Sequence, residues 1–353
     1  MTDLVVAGAG MAGLVAAAEA VSLGAEVVVH EKGDRPGGSF RLSSGVVWRY
    51  RELADFRAEC PAGDAELQQL VHERLDDDLL WLEGLGAPVV ERTTGNPRTV
   101  GLRLDPVAAI DALARRGGVL RLDEPLRELP GPAPVVLATG GFQADRELVR
   151  EHVTHEADSL LLRATGWSSG DGLRLGCAAG ASTTAGLAEF YGRAMPAPPA
   201  RVEEHRFVEL AQLYATHATV EGAGGETFEP RAWSEVDVVQ WMARQPGARA
   251  SYRVPVAKLQ ESVRGRTIGE MVVAAEVAGA TVRRTSDEVV VEVVAGITTT
   301  LGGLAVDRSA RAADGVWAAG ADVGGISTGG YSSGLAAALV LGRIAARSAL
   351  GAA

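Results

Sequence analysis

Gly8, Gly10 and Gly13 stand at the spacing Gly-x-Gly-x-x-Gly, and Glu31 follows them. These residue types in this order hold a dinucleotide. The first glycine permits a tight turn, the second lets a pyrophosphate approach the backbone, and the third lets a helix pack close to a strand. An acid about 20 residues further on binds a ribose hydroxyl. Met11 and Ala12 open the helix, whose first amides and dipole favour phosphate.

The elements that must position these residues are legible around them. Leu4-Val5-Val6-Ala7 is a short apolar run, read as a buried strand that enters the glycine turn. An alanine-rich helix follows, and then a second strand, Glu26 to His30. A glycine-rich turn with no ligand is the bland alternative, but the second strand and its acid make it the weaker one. Lys32 to Ser39, with Gly37, Gly38 and Ser39, forms a second glycine-rich loop directly after the acid. Such a loop is uncommon in nicotinamide dehydrogenases and frequent in enzymes that bind FAD.

Length and composition bound the rest. The chain has 353 residues, 47% hydrophobic and 22% charged, with a net charge of −11 and no basic block. One large or two medium globular domains are expected, and nucleic acid or an anionic membrane surface is a poor partner. Two cysteines, Cys60 and Cys177, fit a reducing compartment. No apolar run reaches the roughly 18 residues of a membrane span. A strand beginning close to Met1 leaves no room for a signal peptide, so a cytoplasmic protein is expected.

Apolar residues at three- and four-residue steps predict a helix from Asp64 to about Leu85, in which Asp76-Asp77-Asp78 reads as a solvated patch. Asp105-Pro106 caps a helix to Arg116. Val135 to Phe142 is a buried strand running into Gly140 and Gly141, and Gly170-Asp171-Gly172 precedes a helix from Leu173 to Ala179. From about Glu189 to Val294 the chain carries most of its aromatics, read as a second domain. Strand character returns at Val289 to Val294. A last strand, Val316 to Asp322, leads through Gly329-Gly330-Tyr331-Ser332-Ser333 into a final helix from about Gly334 to Leu350. His152 and His155 are expected on an exposed helix, and no metal site is expected.

Four segments taken together resemble the FAD-dependent flavoproteins related to fumarate reductase, succinate dehydrogenase and the ketosteroid dehydrogenases. They are Gly8 to Gly13 with Glu31-Lys32 and Gly37-Gly38-Ser39; Leu137 to Phe142 with Gly170 to Arg174; Thr300 to Leu304; and Val316 to Gly320 with Gly324-Gly325 and Leu335 to Ala345. The resemblance implies an α/β fold: a doubly wound, Rossmann-like FAD-binding domain built from both chain ends, with an inserted α+β capping domain. The expected boundaries are 1–188 and 295–353 for the FAD domain and 189–294 for the cap, with substrate between cap and flavin. FAD would be bound non-covalently by Gly8, Gly10, Met11, Ala12, Gly13, Glu31, Lys32, Gly38, Ser39, Thr139, Gly140, Gly141, Asp171, Gly320, Asp322, Gly334 and Leu335. Asp322 would meet the ribityl hydroxyls, or else cap a turn. The final helix would aim its N-terminus at the flavin.

The chain also departs from that family. Where dicarboxylate reductases carry histidines and arginines, it has Thr298-Thr299-Thr300, Ala194-Met195-Pro196, Ser234-Glu235-Val236 and the Gly329–Gly330 loop. Fumarate and succinate are therefore not expected as substrates. The expected reaction is dehydrogenation or ene reduction of a carbon–carbon bond next to a carbonyl, on a small apolar or cyclic substrate. It needs a base or acid and a donor to the carbonyl. Tyr331 is the first candidate, with Tyr191 and Arg193, although Tyr191 reads equally well as an interface aromatic with a hydrogen-bonded hydroxyl and Arg193 as part of a domain-bridging ion pair. Glu189 is a weaker candidate, and Thr299 and Thr300 are possible hydroxyl donors. Hydroxylation, amine oxidation and a catalytically silent FAD-binding scaffold are the alternatives. The electron donor or acceptor and the oligomeric state are not fixed by the sequence.

Overall fold

The computed structural model describes residues 2–352, which divide into two compact units. The first takes in Met1–Asp145, Thr165–Glu189 and Thr300–Ala353, and the second Arg146–Ala164 and Phe190–Thr299.

In the first unit a six-stranded sheet runs in the order Arg311–Ala313, Val316–Ala318, Val135–Leu137, Leu4–Ala7, Val27–His30, Val119–Arg121. All neighbours are parallel except the antiparallel edge strand Arg311–Ala313. Leu4–Ala7 and Val135–Leu137 are buried at every position, as strands covered on both faces must be. The order brings the two chain ends together, because Val316–Ala318 pairs with Val135–Leu137, itself beside Leu4–Ala7. The helix Met11–Ser22 follows the first strand, and the last helix, Gly334–Ala349, packs along it. Gly342 makes that approach possible: a side chain there would come 2.7 Å from the Ala12 carbonyl oxygen. A three-stranded antiparallel sheet, Val46–Tyr50, Thr99–Leu104 and Val89–Glu91, completes the sheets of this unit.

The helix Ala65–Gly84 starts where expected, with the Asp64 carboxylate accepting from the amides of Glu66 and Leu67 at 2.9 and 3.0 Å. The aspartate triplet on it is not a solvated patch. Asp76 and Asp77 are exposed, but Asp78 is fully buried, because it falls on the helix face that carries Val71, Leu75 and Leu82. There it meets Arg343 of the last helix. Arg343 also binds Glu19 of the first helix at 3.0 Å, and Arg347 reaches Glu19 at 2.5 Å. The Arg343 guanidinium lies 4.5 Å from the centre of the Trp81 ring. Three helices thus share one buried charge cluster.

The second unit is built on a sheet around Glu288–Thr300. This strand is far longer than the expected Val289 to Val294, and its end, Thr300, is counted with the first unit. It pairs with Arg249–Pro255, Val282–Arg284, Leu161–Leu162 and Phe190–Pro196. Gly296 lets the chain stay in the sheet, since a side chain there would come 2.9 Å from the Arg193 carbonyl oxygen. Residues 146–164, read from sequence with the first domain, cluster instead with this unit. Leu161–Leu162 pairs in parallel with Gly296 and Ile297, and the Thr154 hydroxyl donates to the Ala243 carbonyl at 2.7 Å. The helices Arg146–His152, Val236–Met242 and Ile268–Val277 also belong here. His152 ends the first of them and His155 lies beyond it. No group of metal-binding side chains occurs among the described residues.

Candidate functional site

The glycine turn has the geometry its spacing predicts. Gly8 has φ 99°, in the left-handed region, and its amide donates to the His30 carbonyl at 2.7 Å. Gly13 packs so tightly on the Gly8 carbonyl that no side chain would fit. Gly10 precedes the helix, and a Cβ on it would meet nothing within 4 Å. Beside it are the amides that begin the helix at Met11 and Ala12, which lack helical partners. Glu31, 5% exposed, accepts from the Ala9 and Gly33 amides, both at 2.7 Å, so its carboxylate spans turn and loop. An open face at a helix start, with an acid at the end of the next strand, fits the pyrophosphate and ribose of FAD.

The other expected cofactor residues gather in the same unit. Lys32 donates to the Ser169 hydroxyl and to Asp171, the latter at 2.9 Å. The Ser39 hydroxyl accepts from the Thr165 amide at 3.2 Å, and Gly38 begins the short helical turn Gly38–Leu42. Gly140 and Gly141 have φ 98° and 82°, and the Thr139 hydroxyl accepts from the Gly172 amide at 2.8 Å. Gly320 opens the turn Gly320–Asp322. Gly334 is exposed at the start of the last helix, with Leu335 half-buried behind it, and the Ser333 hydroxyl accepts from the Ala336 amide.

Asp322 is the most deeply bonded of these residues. It is 1% exposed and turned inward, its carboxylate taking the Thr139 amide, the Thr139 hydroxyl at 3.0 Å and the Gly141 amide at 3.0 Å. Burial raises its pKa against these bonds. It fastens the Thr139–Gly141 turn.

Tyr331 lies in the first unit, its backbone fixed on several sides. The Tyr50 hydroxyl donates to the Tyr331 carbonyl at 2.7 Å, and the Trp48 and Tyr331 rings are 5.4 Å apart. Glu189 accepts from the Gly329 amide at 2.7 Å, so it holds the loop that carries Tyr331. Cys60 lies beneath this loop, and burial pushes its thiol up to about 12, which leaves it protonated and unreactive at neutral pH. Nothing local in the sequence marked Tyr50, Trp48 or Glu189 as supports, because each is distant along the chain.

Tyr191 and Arg193 lie in the second unit, on Phe190–Pro196. Arg193 is 5% exposed; its guanidinium donates to the Ser234 carbonyl and lies 5.0 Å from the centre of the Tyr191 ring. Glu235 is buried nearby, its pKa raised by desolvation, with Arg193 and Arg264 opposing the rise. These partners of Arg193 lie within the second unit, where its charge acts on Glu235. Met195 is fully buried. Arg163, which the sequence did not single out, donates to the Thr298 hydroxyl at 3.2 Å and to the Phe207 carbonyl at 3.3 Å.

The family model described as FAD binding domain matches residues 3–121 and 109–335. The chain belongs to this family. Its cofactor is accordingly FAD. No curated protein matches the chain by sequence. Among solved structures, it is similar to the open conformation of a flavocytochrome c3 fumarate reductase, at 20% identity and TM-score 0.74, over 99% of this chain and 78% of that one. A 3-ketosteroid Δ4-(5α)-dehydrogenase from Rhodococcus jostii, in complex with 4-androstene-3,17-dione, matches at 17% identity and TM-score 0.72, over 99% and 96%. A 3-ketosteroid Δ1-dehydrogenase from Sterolibacterium denitrificans matches at 15% and 0.74, over 99% of each chain. At these identities the likeness is one of fold, the mixed α/β FAD-binding architecture. No helix among the described residues is long and apolar enough to cross a membrane.

Proposed function

We propose that this FAD-binding protein is an oxidoreductase that removes or adds two hydrogens across a carbon–carbon bond next to a carbonyl, on a small apolar or cyclic substrate. FAD is held without a covalent link, chiefly by the Gly8–Gly13 turn and Glu31. When bound, it supplies the hydride acceptor or donor. The second unit acts as the capping domain, and a separate electron donor or acceptor completes the cycle.

The observation that carries this reading is the anchorage of Tyr331. A phenol can give or take a proton, or donate to a carbonyl as an enolate forms. Tyr50, Trp48 and Glu189 hold the loop so that Tyr331 is pre-positioned, which such a role requires. Tyr191 is the second candidate, with Arg193 orienting its ring. Buried Met195 and Glu235, where dicarboxylate reductases carry cations, argue for an uncharged substrate.

An anaerobic screen of enones and their saturated analogues, following flavin absorbance, tests the proposal. A cyclic ketone or enone that bleaches or restores the flavin is expected. Substrate-dependent hydroxylation or imine formation, with rapid reaction with oxygen, would replace it by another flavin oxidation. No response to any carbonyl compound would leave a scaffold.

A further inference from the structure

We propose that Trp167 walls the adenosine end of the FAD site and sets how tightly the ADP half of the cofactor is held. The proposal rests on FAD as cofactor, and on the end of the site marked by Glu31. Gly33 lies two residues beyond that acid, and its amide donates to the Glu31 carboxylate at 2.7 Å. The Trp167 indole lies on the face of Gly33, with its ring carbons where any side chain would start. On the indole sits Arg35, its guanidinium carbon 5.2 Å from the ring centre. Trp167 is half-buried, so part of the residue stays accessible.

The same two segments are tied on either side of this contact. Lys32 bonds Ser169 and Asp171, and the Thr165 amide donates to Ser39. Residues 32–39 and 165–171 therefore form a clasp with an aromatic plate at its centre, beside the acid that takes the ribose. A purine has a π-face that stacks on such a plate. By sequence, the flavin half of FAD falls to the last strand and the final helix, so Trp167 should discriminate between the two halves of the cofactor.

The test uses the full-length chain freed of FAD and titrated with FAD, ADP and FMN. Trp167→Ala should weaken FAD and ADP by the same factor, roughly 5- to 100-fold, the worth of one base stacked on an aromatic. FMN binding should not change. Trp167→Phe should bind nearly as wild type, and Gly33→Ala, which wedges the indole away, should repeat the alanine pattern. ADP should also quench the part of wild-type tryptophan emission that Trp167→Phe removes. Equal weakening of FAD and FMN would show general loosening of the unit and overturn the proposal. Unchanged FAD and ADP affinity in Gly33→Ala, with its far-ultraviolet dichroism intact, would overturn it even if Trp167→Ala failed to fold.

Discussion

Tyr331 and Asp78 show how differently single residues can be read. Tyr331 invites a chemical test. Tyr331→Phe removes one hydroxyl and leaves the ring on Trp48 and the backbone bond from Tyr50. FAD content should stay near wild type, while substrate-driven flavin reduction should fall by about 10²–10⁴-fold. Reduction by dithionite should be unaffected, and full turnover in the variant would pass the role to Tyr191. Asp78 invites a stability test. Burial raises its pKa from 3.8 to about 6, more than Arg343 and Arg74 lower it. Between those two values the folded chain keeps a proton that the unfolded chain gives up. Its contribution to stability is complete below 3.8 and is lost as pH rises through about 6. Melting temperatures from pH 4 to 7 should therefore show wild type losing ground to Asp78→Asn up to about pH 6, then running parallel. Parallel curves throughout would mean that Asp78 is ionised at every pH tested.

At the scale of elements, the strand Leu4–Ala7, the glycine turn and the helix Met11–Ser22 were plain in the sequence because each is a local pattern: an apolar run, a spacing, an alanine-rich stretch. A specific consequence follows from Gly10. A Cβ there meets nothing within 4 Å and its φ of −71° suits any residue, so Gly10→Val should fold normally. The same side chain would occupy the approach of the pyrophosphate, and the purified protein should be colourless with an unchanged circular dichroism spectrum. A yellow Gly10→Val protein would put the phosphates elsewhere. What the sequence concealed was non-local. Asp78 looked like one of three surface acids because its partner, Arg343, is 265 residues away. Arg146–Ala164 read as part of the first domain because its strand partner, Gly296 and Ile297, arrives much later. Asp322 stood at the place of a ribityl contact, and only the fold shows that it also fastens Thr139 and Gly141.

For the whole molecule, the family and the cofactor were legible because four short segments recur in order across the chain, while the catalytic residues depend on departures from that pattern. Two measurements address the protein at this scale. Acid precipitation should release intact FAD to the supernatant, since no flavin-linking histidine stands beside Gly37-Gly38-Ser39; colour in the washed pellet would demonstrate a covalent link. Fumarate and succinate should give no turnover at ordinary enzymatic rates, because burying unpaired carboxylates costs several kcal/mol each. Brisk fumarate reduction would show that other cations, Arg163 among them, supply the missing charge.

The cluster joining Glu19, Asp78 and Arg343 also says something about birth on the ribosome. The helix Met11–Ser22 is buried along most of its length, and its lasting partner is the helix Gly334–Ala349. At roughly 5–20 residues per second, the first helix waits about 15–60 seconds for that partner to be translated. During this interval its apolar face and the side of Val135–Leu137 that will receive Val316–Ala318 lie open. The nascent chain is thus a natural client for chaperones, and a stop codon just before Gly334 should yield not a smaller flavoprotein but an insoluble or rapidly degraded fragment.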